Sequence, residues 1–236
     1  MSERFLRTEM LLGAEAMERL KNSKVAVFGL GGVGSWCAEA LCRSGIGEIT
    51  LIDQDTVGES NINRQLVATY SALGKTKSEA MAARLLDINP EVIVNPMVLR
   101  YEADTREQFF CTDYDYIVDC IDLVACKLDL IETAISRGIP IISALGAGNK
   151  TNAEALRITD ISKTENCPLA RVVRKELHKR GINHLPVVYS NELPLKPEAA
   201  EEPPPGRRSV PGSLVWVTAT AGMLLCSHVV MKLTDK

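Results

Sequence analysis

The sequence predicts an α/β protein built on a doubly wound, mostly parallel sheet with helices on both faces, and three observations carry that prediction. Residues 25–28, Val-Ala-Val-Phe, form a short branched apolar run of the kind that makes a buried strand. Gly29, Gly31, Gly32 and Gly34 follow at once, and residues 33–42 then place their apolar positions at helical period. Beyond that unit, strand and helix keep alternating, which is the signature of a parallel sheet wound by crossover helices.

The elements follow in order. Residues 3–21 read as one helix whose apolar side holds Phe5, Leu6, Met10, Leu11, Met17 and Leu20, with Arg4, Arg7 and Arg19 outside it. After the strand at 25–28 and its helix, residues 48–52 form a second strand, and a helix over 78–88 stops at Asn89-Pro90. Residues 92–99 read as a third strand, 104–110 as a short helix, 114–121 as a fourth strand, 123–137 as a helix and 139–145 as a fifth strand. A strand at 156–159, a helix at 168–179 with proline in its first turn, and a strand at 185–190 come next. Residues 192–211 hold six of the eleven prolines and are expected to be an extended, mobile crossover over the site. A last apolar helix spans 214–233; its Thr218, Thr220, Ser227, His228 and Lys232 argue for packing in the core or against a second subunit, not for a membrane span. One domain of 1–236 is expected, with a helical arm at 1–23 and the crossover at 191–212 inside it.

The glycine turn points to a phosphate. Glycines let the backbone come close to a phosphate chain, and the start of the next helix offers free N–H groups and the positive end of its dipole. Asp53, at the end of the second strand, is placed to accept from a ribose hydroxyl. What narrows the ligand is the dense polar set that follows: Asp55, Ser60, Asn61, Asn63, Arg64, Gln65, Lys75 and Lys77. Arg64 and Lys77, with the amides of Asn61, Asn63 and Gln65, suit a triphosphate whose charge shifts during reaction.

Composition sets the bounds. The chain has 236 residues, 46% hydrophobic, with net charge −3, so no global field draws in a polyanion and any such contact needs a local basic patch. The helix at 168–179 offers one: Arg171, Arg174 and Lys175, continued by Lys179 and Arg180, outnumber Glu176. A plain solvated face reads equally well there. Seven cysteines without a Cys-x-x-Cys pair argue against a disulfide framework and a structural zinc. The charged start lacks an apolar signal core, so a cytoplasmic protein is expected.

Taken together, Gly-x-Gly-Gly-x-Gly at 29–34, Asp53-x-Asp55, Ser60-Asn61-x-Asn63-Arg64-Gln65, Gly74-Lys75-x-Lys77 and Asp119-Cys120-x-Asp122 resemble the ATP site of the ubiquitin-activating-type adenylating superfamily. Some of its members adenylate the C-terminus of sulfur-carrier proteins. The missing zinc pairs, the Gly31-Gly32-Val33-Gly34-Ser35-Trp36 run, Ile158-x-Asp160-x-x-Lys163-Thr164 and Val217-Thr218-Ala219-Thr220 are similar to one branch, the tRNA threonylcarbamoyladenosine dehydratases. The likeness is loosest over 181–212, where substrate contacts are expected.

The resemblance implies a Rossmann-like fold and an ATP site made by Gly29, Gly31, Gly32, Gly34, Asp53, Asp55, Asn61, Asn63, Arg64, Gln65, Lys77, Asp122 and Leu123. It implies that Arg64, Lys77 and Asp122 are catalytic, with Asp122 holding Mg2+; capping the following helix is the other reading of Asp122. It implies a homodimer in which an arginine of the N-terminal arm, Arg7 or Arg4, reaches the neighbouring subunit's ATP. The implied reaction is ATP-dependent cyclisation of threonylcarbamoyladenosine beside the tRNA anticodon: carboxylate adenylation with release of pyrophosphate, then ring closure with release of AMP. A monovalent cation is a further candidate for ordering the site, and Arg207 and Arg208 are candidates for touching substrate phosphate. Two alternatives stay open. Adenylation of a sulfur-carrier protein would give Cys167 a role as nucleophile and bring a carrier or sulfur-transfer partner; a nucleotide-binding scaffold or oxidoreductase would be stabilised by NAD(H) and not by ATP with Mg2+.

Overall fold

The computed structural model describes residues 3–196, 198 and 211–236. The strands are β1 (Lys24–Phe28), β2 (Glu48–Ile52), β3 (Ile93–Met97), β4 (Tyr116–Asp119), β5 (Ile141–Ala144), β6 (Leu156–Asp160) and β7 (Pro186–Ser190). The helices are α1 (Leu6–Leu12), α2 (Ala14–Asn22), α3 (Gly34–Ser44), α4 (Lys77–Ile88), α5 (Val124–Ser136), α6 (Pro168–Lys179) and α7 (Val215–Leu233). The sheet runs β3-β2-β1-β4-β5-β7-β6 and is parallel throughout except for the edge pair β6–β7.

Alternation along each central strand makes two cores. Val25 and Val27 of β1, Ile49 and Leu51 of β2 and Val118 of β4 face a core shared with α2, α3, α4 and α7. Ala26, Phe28 and Ile117 face the other, shared with α5, α6 and the cluster Tyr101, Phe109 and Tyr114. Both faces are therefore covered, which is why these strands read as continuous apolar runs. Phe28 meets the Tyr101 ring edge-on at a centroid distance of 5.4 Å.

The helix expected over 3–21 is two helices. Gly13, at φ 88°, caps α1 and begins α2, so the arm turns there. The apolar side is split accordingly. Met17 and Leu20 of α2 are buried, whereas Leu6, Met10 and Leu11 of α1 are 52%, 74% and 86% exposed. The helix expected over 104–110 is a short 3-10 turn, Arg106–Phe109.

By length and composition α7 could cross a membrane. Its Val217, Thr218, Ala221, Gly222, Leu225, Cys226, Val229 and Val230 are instead buried in the first core. Gly222 makes that possible, since a Cβ there would lie 2.6 Å from the Val33 carbonyl oxygen and 2.8 Å from the Trp36 Cβ. Thr218 lies against the turn before α3 and Cys226 meets Ser44 at its end, so the two helices run in the same direction and start at the same end of the sheet. Most of the proline-rich crossover, including Arg207 and Arg208, lies outside the described residues.

Candidate active site

The sheet reverses its strand order between β1 and β4, and in such a sheet ligands bind in the crevice at the carboxyl ends of those strands. The glycine turn sits at that point. Gly29 has φ +90°, and a Cβ on it would be 2.7 Å from the Cys120 carbonyl oxygen, so no other residue lets the turn lie so close to the end of β4. Its N–H donates to the Ile52 carbonyl at 2.8 Å. Asp53 completes the tie: its carboxylate accepts from the backbone N–H of Leu30 at 2.7 Å and of Asp55 at 2.8 Å. Burial raises the Asp53 pKa, opposed by Lys77 and by those two donors. The residue expected to meet a ribose is thus also the strut of the turn.

Lys77 opens α4, and its side chain is buried. Thr76 caps the helix by accepting from Glu79 N–H at 3.4 Å, while Lys77 Nζ donates to Asp55 Oδ2 at 2.9 Å and its N–H to the Asp55 carbonyl at 2.9 Å. Asp55 therefore anchors a cation. Residues 58–65 fold into a compact turn in which Gly58 N–H donates to Asn61 Oδ1 at 3.1 Å. Arg64 Nη1 donates to the Ser60 carbonyl and to Asn63 Oδ1, both at 2.9 Å. The Arg64 carbonyl accepts from the Trp36 indole at 3.1 Å. Lys75 is exposed.

Two features fit a nucleotide here. Gln65 is buried, yet among the described residues its Oε1 has no partner, a loss of about 1–3 kcal/mol that a donor from the crevice would recover. Beside it, a Cβ built on Gly31 would meet, among the described residues, only Gln65 Nε2, at 4.0 Å, so the backbone there lies open to a ligand.

Beneath the crevice lies an ion pair that sequence reasoning missed. Asp119, Lys127 and Ser143 are all fully buried. Lys127 Nζ donates to Asp119 Oδ2 at 2.5 Å, to Ser143 Oγ at 3.0 Å and to the Ala144 carbonyl at 3.1 Å. Asp119 Oδ1 accepts from Ile121 N–H at 3.0 Å, which fixes the loop leading to Asp122. The available signal was one lysine among Cys126, Leu128, Leu130 and Ile131, all buried, with one aspartate ending an apolar strand. Asp122 itself is exposed. The N-cap of α5 is Leu123, also exposed, and no side chain caps it, so the capping reading of Asp122 is not realised.

The remaining candidates separate. Arg174 donates to the Thr164 carbonyl at 2.7 Å and to Thr164 Oγ1 at 2.5 Å, whereas Arg171 and Lys175 face solvent. Arg4 pairs with Asn89 and Glu91 of its own chain, while Arg7 is exposed. Cys167 is buried and caps α6, its Sγ accepting from Ala170 N–H at 3.4 Å. Burial pushes the Cys120 thiol well up.

Both flanks of the crossover are stitched to the crevice rim. Gly212 N–H donates to Asn149 Oδ1 at 2.7 Å, Asn149 N–H to the Gly212 carbonyl at 2.8 Å, and Leu195 N–H to the Asn149 carbonyl at 2.8 Å. Asn63 Nδ2 donates to the Ser213 carbonyl at 3.0 Å, and the Thr218 side chain would lie 3.3 Å from a Cβ on Gly32. The start of α7 is a wall of the site.

With this geometry in place, a sequence profile of the ThiF family matches residues 5–236. The chain belongs to the ThiF family. The tRNA threonylcarbamoyladenosine dehydratase of Bacillus subtilis (strain 168) is 43% identical to this ThiF-family chain over 242 residues, covering 99% of the chain and 95% of the relative. The enzyme of the same name from Escherichia coli (strain K12) is 35% identical over 253 residues, covering 99% and 94%. A crystal structure of the E. coli dehydratase in complex with ATP superposes with a TM-score of 0.89 at 35% identity, over 99% of this chain and 94% of that one. The family resemblance drawn from the motifs and the expected Rossmann-like sheet are both borne out.

Proposed function

We propose that this ThiF-family chain is an ATP-dependent tRNA threonylcarbamoyladenosine dehydratase, which cyclises the threonylcarbamoyl side chain of adenosine beside the anticodon with net loss of water. The observation that carries this reading is an anchored cation, Lys77, together with a glycine turn that is open at Gly31, in a chain that matches dehydratases almost end to end. The side-chain carboxylate attacks the α-phosphorus of ATP, giving an acyl adenylate and pyrophosphate. A nucleophile in the same side chain then closes the ring and expels AMP. Lys77 and Arg64 hold and neutralise phosphate charge. Gly29, Gly31, Gly32 and Gly34 bring the backbone to the phosphates, and Asp53, Asp55, Asn61, Asn63, Gln65 and Leu123 shape the rest of the pocket.

Mg2+, when bound, would neutralise the departing pyrophosphate, with Asp122 as its protein ligand. Among the described residues no three His, Cys, Asp or Glu side chains cluster to hold a metal; the proposed ion takes Asp122 and substrate phosphates. Ring closure needs no enzyme nucleophile, because the attacking atom is tethered to its target. The carrier-protein alternative would call on Cys167, which is buried as the cap of α6.

Nucleoside mass spectrometry on tRNA carrying threonylcarbamoyladenosine tests the reading. Incubation with the protein and Mg-ATP is expected to remove one water from that nucleoside, and to do so only when ATP is present. An unchanged nucleoside in intact tRNA would overturn it.

The same reading includes a homodimer, a cytoplasmic location, and Arg171 and Lys175 as contacts to the tRNA backbone. The exposed Leu6, Met10 and Leu11 of α1 support a second copy as their cover, with Arg7 of that arm reaching the neighbour's ATP. Chains carrying Arg7→Ala and Asp122→Ala, each inactive alone, should recover part of the activity when mixed. No recovery would remove Arg7 from the neighbour's site.

A further inference from the structure

We propose that Trp216 is a stacking platform for a nucleobase of the single-stranded loop in the tRNA substrate. The proposal rests on the dehydratase reading and adds to it a residue that positions the RNA. Trp216 stands in the first turn of α7, 53% exposed, between the rim loop and the buried Val217 and Thr218. Its indole N–H donates to the Thr151 carbonyl at 2.8 Å, so the ring is held in one orientation and its single polar group is used. What remains to offer is a flat apolar face.

The surroundings fix where that face lies. Glu192 accepts from the N–H groups of Thr151, at 3.1 Å, and Asn152, at 3.0 Å, which brings the exposed Leu193 and Leu195 to the same loop. Thr218, two residues on from Trp216, packs behind the glycine turn. Among the described residues, the face of a large aromatic ring on the lip of an ATP crevice is therefore left without an aromatic or cationic partner, while the residues on either side of it are fastened down.

The reaction explains the occupant. The carboxylate to be adenylated hangs from an adenine, which has to leave the anticodon-loop stack before that carboxylate can enter the crevice. A base removed from its neighbours needs another surface to lie on, and aromatic side chains supply it wherever proteins read unstacked RNA. Stacking is indifferent to phosphate charge, which sets it apart from the contacts of Arg171 and Lys175.

The test uses the full chain and an anticodon stem-loop RNA carrying the threonylcarbamoyl group. Trp216→Ala is expected to raise Kd for the stem-loop and KM for tRNA roughly tenfold. KM for ATP and the dependence of binding on salt should stay unchanged, and Trp216→Phe should restore most of the affinity. Unchanged RNA affinity in Trp216→Ala overturns the proposal. So does a Phe variant as weak as the Ala one, which would trace the effect to the bond with Thr151. A shift in KM for ATP, or in oligomeric state, would show a packing role or a second copy as the occupant, and would also overturn it. Wild-type protein that binds the stem-loop through Trp216 but never dehydrates it would remove the dehydratase reading and leave the stacking contact standing.

Discussion

Lys127→Met should cost about 3–5 kcal/mol of stability, because it leaves the Asp119 carboxylate buried with no cation beside it. Thermal or denaturant unfolding reads this directly, and a loss under 1 kcal/mol would mean that the pair is worth little. The informative partner is the double substitution Asp119→Leu with Lys127→Met. Removing both charges avoids the stranded carboxylate, so much of the stability should return. Activity should not. Asp119 Oδ1 also accepts the Ile121 N–H, and without that bond the loop carrying Asp122 has lost its fixed geometry. A double variant that is stable and fully active would show that the network serves only folding.

Asp122→Ala is expected to act the other way round. Asp122 is exposed and caps no helix, so unfolding should move by no more than about 0.5 kcal/mol. ATP–pyrophosphate exchange, which reports carboxylate adenylation alone, should fall by about a hundredfold or more. The folded variant gives the comparison its force: lost exchange with an intact melting curve assigns the carboxylate to phosphate or metal. Unchanged exchange would remove Asp122 from the mechanism.

The parts of this molecule that could be read from the sequence are those whose physics is local. The glycine turn, the two-faced burial of Val25 to Phe28, and the helix stop at Asn89 depend on neighbours within a few positions, and the structure has them at those places. Gly13 does not announce a turn, because one glycine inside an apolar helical pattern costs only about 1 kcal/mol, and pattern alone does not distinguish a tolerated glycine from a turn. That β6 runs antiparallel was equally hidden, since its direction is set by pairing with β7 across the whole of α6.

The site divides along the same line. Lys77 stands out in the sequence as a candidate phosphate cation, but its anchoring by Asp55 across the intervening loop is visible only in the fold. The Asp119, Lys127 and Ser143 network joins a strand, a helix and a second strand, and no spacing encodes it. Arg174 stood in a row of cations that read as a surface; only the fold shows its guanidinium bound to the loop at Thr164.

The contact that Gly222 permits sets an order of events during synthesis. The strand, glycine turn and helix emerge from the ribosome early, but the wall behind the turn, Thr218 against Gly32, comes from α7, which is made much later. A nascent chain stalled before Val215 should therefore lack both that wall and the α7 side of the first core.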